Sequence, residues 1–405
     1  MGLAATNMSP LNSETVVLTD YNAETGVALL ASALTGYHFG AAESTGASYS
    51  GIDMRAEVML LSRDVSITAS TDEASKTPSY PEPWGCRVIV SDFFEPDLTY
   101  RAGSIFMDNV SIFNCSQADT TEAALTFNNA IQGTKIFRNG AISSGKGEGI
   151  HVINSRQVTF TDSVIHDFVH FGHHSEGSSQ ITFENNIMNG IRPNLTDWSE
   201  QQELKWPYPT GGWDMVGTED LVFRNNTAAS MWHSGFRLPS HVCGASSTIT
   251  DNIAHSISGM GVIVYSSAGP CSEFSSFRGY KNQLATVFMA VEGENRGSNL
   301  ISIDSDIGIS ILGSPESRVE VRDSILHGSK DMQNTDCPLS STGKCGCADR
   351  RGLINPTFHV SPIEIKNDTK IGKMFAKGGD WGGEALFIDN TFIGFDSNEN
   401  ICGGK

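Results

Sequence analysis

Apolar and polar residues alternate through seven short segments of the chain, and each alternation runs into an Asn or Asp before a short apolar stretch resumes. The segments are GTKIFRNGAI (133–142), SRQVTFTDSVI (155–165), SSQITFENNIM (178–188), TEDLVFRNNTA (218–228), SSTITDNIA (246–254), ESRVEVRDSIL (316–326) and GEALFIDNTFI (383–393), the first being the least regular. Period-2 alternation marks a half-buried β-strand. The interrupting residues are Asn139, Asp162, Asn185, Asn225, Asp251, Asp323 and Asn390. Asn and Asp accept left-handed backbone and bond to their own turn. Asn139, Asp162 and Asn185 follow one another at 23 residues. A constant period in the low twenties, built from strands, predicts a solenoid. The expected fold is all-β: a right-handed parallel β-helix, single-stranded, with long loop insertions. The slot residues should stack rung on rung into one internal polar ladder.

Later gaps keep this period with excursions. Asn185 and Asn225 are 40 residues apart, one rung plus a loop. Between Asp251 and Asp323 weaker rungs can be placed with Asn282 and Ser305 in the slot, and Asn109 offers an earlier one. A β-sandwich also repeats short strands, but two consecutive steps of 23 with one motif disfavour it. The repeats run through most of the 405 residues, so one domain over 1–405 is expected. Its parts are N-terminal coils (1–80), repeat rungs (81–330), and a cysteine-containing loop with terminal rungs (331–405).

Charge narrows the partners. The chain has 27 basic and 46 acidic residues, a net of −19. That disfavours nucleic acid and anionic membrane as partners, and a polyanion unless Arg and Lys cluster locally or a cation bridges. No cofactor is indicated. An acidic surface is compatible with Ca²⁺, yet no calcium-loop motif occurs, and no metal ligands are assigned. No apolar run is long enough to span a membrane.

Eight cysteines form an even set: Cys86, Cys115, Cys243, Cys271, Cys337, Cys345, Cys347 and Cys402. Their spacing does not suit zinc, and disulfides in an oxidising compartment fit better. Cys243 and Cys271, 28 residues apart, are close enough to one period to be stacked neighbours. Asn194 and Asn367 are the expected glycosylation sites. The opening MGLAATNMSPLNSE lacks the pattern of a signal peptide, so an extracellular chain is expected to be an ectodomain fragment of something longer.

The segment GIDMRAEVMLLSRDVSI (51–67) is followed in order by WGCRVIVSDF (84–93), NVSIFNCSQ (109–117) and AALTFNNA (123–130). Near the other end stand RRGLINPTFHVSP (350–362) and GKMFAKGGDWGGEALFIDNTFIGF (372–395). This succession resembles the region after the G8 domain in fibrocystin, fibrocystin-L and the related hyaluronan-associated cell-surface proteins. The resemblance implies a right-handed β-helix in the ectodomain of a large cell-surface or ciliary protein. In the hyaluronan-associated branch it implies polysaccharide depolymerisation. On this resemblance the chain is expected to start downstream of most of the G8 module, without the residues that module contributes.

Two constellations could carry chemistry. HDFVHFGHHSEG (166–177) is dense in histidine, and His170, His174 and Glu176 could serve acid–base work. In a strand His173 and His174 face opposite sides. The loop 189–217 and its neighbour WHSGFRLPSH (232–241) bring Trp198, Trp206, Tyr208, Trp213, Asp214, His233 and Arg237. Aromatics beside carboxylates suit sugar binding; buried, the same rings cap the solenoid flank. The catalytic candidates are therefore His170, His174, Glu176 and Asp214, and the ligand-binding candidates Trp198, Trp206, Tyr208, Trp213, His233 and Arg237. The first reading is a non-catalytic structural or recognition segment with an extracellular glycan or protein partner. The alternatives are a polysaccharide-cleaving β-helix enzyme or a self-assembling protomer of an extracellular filament.

Overall fold

The computed structural model describes residues 1–40 (Met8 excepted), 48–49, 52–69, 85–192, 211–244, 247–265, 271–327, 361–366 and 384–393, with isolated gaps at 119, 121, 292, 306 and 314–316. Strands stack in parallel into three faces, as the 23-residue period requires, except that His241–Val242 pairs antiparallel with Ser272–Ser275. One face is a ten-stranded sheet from Val88–Val90 to Ser361–Lys366. A second has eleven strands, from Val65–Thr68 to Thr391–Ile393. The third begins as six strands, Ile105–Asp108 to Thr248–Thr250, and continues as five. The chain is a right-handed parallel β-helix. A 3₁₀ turn at Pro10–Asn12 is the one helical element among the described residues.

The core follows from register. With one residue of each rung at every level, identical positions stack at about 4.8 Å, so like side chains pile into columns. Phe137, Phe160, Phe183 and Phe223 form one such column on the third face. Ile150, His173, Trp213 and Phe236 face them from the ten-stranded sheet. Phe183 meets Trp213 edge-on at 4.9 Å, and Phe223 meets Phe236 at 5.5 Å.

Asn139, Asp162, Asn185, Asn225, Asp251 and Asp323 all adopt left-handed backbone (φ 49–57°) at the same corner. They are exposed, however, and the buried ladder sits one residue later. There the Asn226 Oδ1 accepts hydrogen bonds from the Asn186 amide and side chain at 3.1 and 3.0 Å, and Asn252 does the same for Asn226. The backbone turns left-handed at the slot and points the following side chain inward, toward amides that need partners. Asn390 belongs to this inner column, since its Oδ1 accepts the Ser324 amide and Asp389 takes the left-handed position. Asn282 and Ser305 stack at a different corner, while Ser276 and Asn299 occupy the slot between Asp251 and Asp323.

The described N-terminal residues before Val65 form no rungs and lie along the outer face of the eleven-stranded sheet. The Ala5 amide donates to Ser230 Oγ at 2.9 Å, and Thr15 Oγ1 meets His166 Nε2 at 2.8 Å. Glu57 pairs with His255 at 3.0 Å, while Ile52 packs against Tyr280 and Ile303. Disulfides join Cys86 to Cys115 and Cys243 to Cys271, each linking stacked rungs. Cys337, Cys345, Cys347 and Cys402 lie outside the described residues.

Candidate active site on the ten-stranded sheet

Strand parity brings the chemistry to the surface of this sheet. Gly149-Ile150-His151, Gly172-His173-His174, Gly212-Trp213-Asp214 and Gly235-Phe236-Arg237 occupy four successive rungs in register. The middle residue of each triplet enters the core. The third points outward, so Thr126, His151, His174, Asp214, Arg237 and Ile263 form one outer column. The first is glycine, because a Cβ at Gly149, Gly212 or Gly235 would come within 2.6 Å of the next rung's carbonyl oxygen.

Glu148 precedes the first triplet and folds under both histidines. Its Oε2 is 3.5 Å from His151 Nδ1, and its Oε1 is 3.9 Å from His174 Nδ1. The two imidazoles stack with centroids 4.8 Å apart and planes 12° from parallel. Their far nitrogens reach two other carboxylates: His151 Nε2 lies 3.5 Å from Glu176, and His174 Nε2 lies 4.0 Å from Asp214. Arg237 donates to Asp214 at 2.7 Å and lies between the rings of Phe171 and Tyr265, 5.7 and 5.8 Å from their centroids.

Burial differs across the patch. The side chains of Glu148 and His151 are 4% and 5% exposed, Asp214 8%, His174 26% and Glu176 56%. Burial, with the negative charges of Asp214 and Glu176 adding to it, pushes the Glu148 carboxyl up to about 8. Burial raises the Tyr265 phenol. In the core behind the patch, burial holds His173 neutral, far below the usual imidazole range.

The patch therefore unites His174, Glu176, Asp214 and Arg237 of the expected residues. Trp213 is not a surface platform: its ring is fully buried among Phe183 and Phe223, because its neighbour Asp214 takes the outward position. His170 sits at the corner before the strand in left-handed backbone (φ 71°). His233 occupies the equivalent corner near Ser234, where burial lowers its imidazole to about 4. Trp198, Trp206, Tyr208, Asn194 and Asn367 lie outside the described residues. Sequence reasoning missed Glu148 and His151. The signal that could have found them is the Gly-x-polar triplet, which recurs at 149, 172, 212 and 235.

Residues 105–285 match the family described as right handed beta helix region. No curated protein matches the chain. Among solved structures, a similar one is the catalytic domain of a GH87 alpha-1,3-glucanase in complex with nigerose. It is 14% identical with a TM-score of 0.33, over 76% of this chain and 59% of that one. Among the described residues no helix is long and apolar enough to cross a membrane.

Proposed function

We propose that this chain is a polysaccharide-cleaving β-helix enzyme of the extracellular space, with its reaction centre on the outer face of the ten-stranded sheet. The observation that carries this is the gathering of Glu148, His151, His174, Glu176, Asp214 and Arg237 from four successive rungs. Rung stacking does not need charge, since Thr126 and Ile263 hold the same column above and below. Burying ionisable groups costs several kcal/mol each unless they are paired, and a rigid spacer would have no use for that cost. Clusters of this kind are what reaction centres are made of.

A polymer lying along the rungs would meet one outward residue per rung step. Glycosidic cleavage uses two carboxylates of different environment. Asp214, buried against Arg237, and exposed Glu176 flank His174 and offer that pair. The resemblance to the depolymerising branch of the fibrocystin-related proteins, and two disulfides that suit an oxidising compartment, support the same reading. The test is incubation with hyaluronan, other glycosaminoglycans and neutral glucans, followed by size-exclusion and reducing-end assays. Cleavage of one of them, reduced at least about 100-fold in Asp214→Asn and Glu176→Gln, is expected. If no glycan is shortened, the enzyme reading falls and the non-catalytic surface segment remains.

A further inference from the structure

We infer that Glu148, His151 and His174 form a binding site for one divalent transition-metal ion of the zinc type, with a coordination position open toward solvent beside His174. Three observations carry it. The first is geometry. One carboxylate oxygen and one nitrogen from each imidazole all lie within 4.8 Å of one another. Tetrahedral coordination at about 2.1 Å sets ligand atoms roughly 3.4 Å apart. The separations here are 3.5 Å from Glu148 Oε2 to His151 Nδ1 and 3.9 Å from the other oxygen, Oε1, to His174 Nδ1. Side-chain shifts on the order of 1 Å complete the set.

The second is the outer shell. A metal-bound histidine usually gives its other ring N–H to a carboxylate, which fixes the tautomer and strengthens the ligand. Both histidines turn Nδ1 toward Glu148 and Nε2 toward a separate carboxylate, Glu176 for His151 and Asp214 for His174. Arg237 holds Asp214 in place. Two residues from adjacent rungs sharing this arrangement is more than parity alone produces.

The third is Glu148 itself. Its side chain is 4% exposed, and its buried Oε2 accepts no hydrogen bond among the described residues. A buried acceptor without a donor is unfavourable, and a cation at this point would relieve it. The donor chemistry selects the metal. Two imidazoles with one carboxylate suit zinc and its transition-metal neighbours, whereas Ca²⁺ and Mg²⁺ take mainly oxygen ligands. Three protein ligands with a free position is the pattern of catalytic zinc, which lowers the pKa of its bound water to about 7. In that catalytic consequence, though not in metal binding, the inference rests on the function proposed above.

The experiment is calorimetric titration of chelator-stripped, full-length protein with ZnCl₂, together with visible absorption of the Co²⁺-loaded form. One equivalent should bind, with the intense d–d bands of low-coordinate cobalt. Affinity should fall at least about 100-fold in His151→Ala, His174→Ala and Glu148→Ala, and about 10–100-fold in Asp214→Asn. His255→Ala, on the other outer face, should leave it unchanged. No saturable zinc binding by the wild-type protein, or binding undiminished in a His151→Ala/His174→Ala double variant, would overturn the inference. The wild-type cobalt spectrum decides even if a variant misfolds. Zinc binding without glycan cleavage would keep the site and remove the proposed substrate, and the converse outcome would do the reverse.

Discussion

Two outer faces of this β-helix carry histidines, and they use them differently. On the eleven-stranded sheet, His166 and His255 each meet their own partner from the N-terminal segment, Thr15 and Glu57. On the ten-stranded sheet, His151 and His174 turn to one shared carboxylate, Glu148, with further carboxylates behind. One-to-one pairing fastens a covering segment to the solenoid. Convergence of two imidazoles on a single acid fastens nothing and leaves the acid's own bonding incomplete. Histidine content is thus a poor guide to a site; the number of groups sharing one partner is a better one.

The sharpest way to break the comparison is a pair of substitutions with opposite expected readouts. His174→Ala should lower glycan cleavage at least about 1,000-fold while leaving the thermal midpoint within a few degrees. His255→Ala should do the reverse. Its ring is fully buried, stacked on Tyr280 at 4.4 Å and bonded to Glu57. Its loss should cost about 2–4 kcal/mol with kcat unchanged, read by chemical denaturation and by faster proteolysis of residues 1–61. If both variants lose activity equally, the two faces do not differ as described.

A comparable stability effect should come from the inner ladder, which serves both faces. Asn226→Ala removes the acceptor of the Asn186 amide and the donors to Phe183 and Asn252. About 2–4 kcal/mol should be lost, measured by urea unfolding. A loss below about 0.5 kcal/mol would mean that the column is not structural.

Acid should loosen the N-terminal face. Burial alone would raise the Glu14 carboxyl, but the Thr35 and Gly36 amides and His38 donate to it and bring it down to about 2. A carboxylate with its folded pKa depressed contributes stability that is complete above its unfolded value, near 4.5. That contribution fades as pH falls toward 2. It should amount to on the order of 1–3 kcal/mol, and Glu14→Gln should flatten the profile between those limits. An unchanged slope in the variant would assign the acid sensitivity elsewhere. The smallest effect belongs to an ordinary exposed pair: Arg224→Ala, breaking the contact with Glu184 at 2.5 Å, should change stability by less than about 0.5 kcal/mol.

Much of the architecture was legible because it is local. Alternation, the period of 23 and left-handed Asn or Asp arise from backbone sterics within one rung. Hence six of seven slot residues share a corner. The same locality explains the miss at Asn390, since a slot and the ladder position after it are both filled by Asn or Asp in FENNI and FIDNT. Parity likewise puts His173 and His174 on opposite sides of their strand.

By itself, then, the sequence determined the rungs, the left-handed corners between them and that His173 and His174 face opposite sides of their strand. Only the tertiary structure decided that Asp214, 40 positions further along the chain, follows His174 in the outer column. It alone seated Glu57 on His255, a contact spanning 198 positions. It alone buried Trp213, beside Asp214, among the phenylalanines. Short-range backbone preferences repeat with the chain, whereas convergence of side chains depends on how rungs stack across excursions of unrelated length.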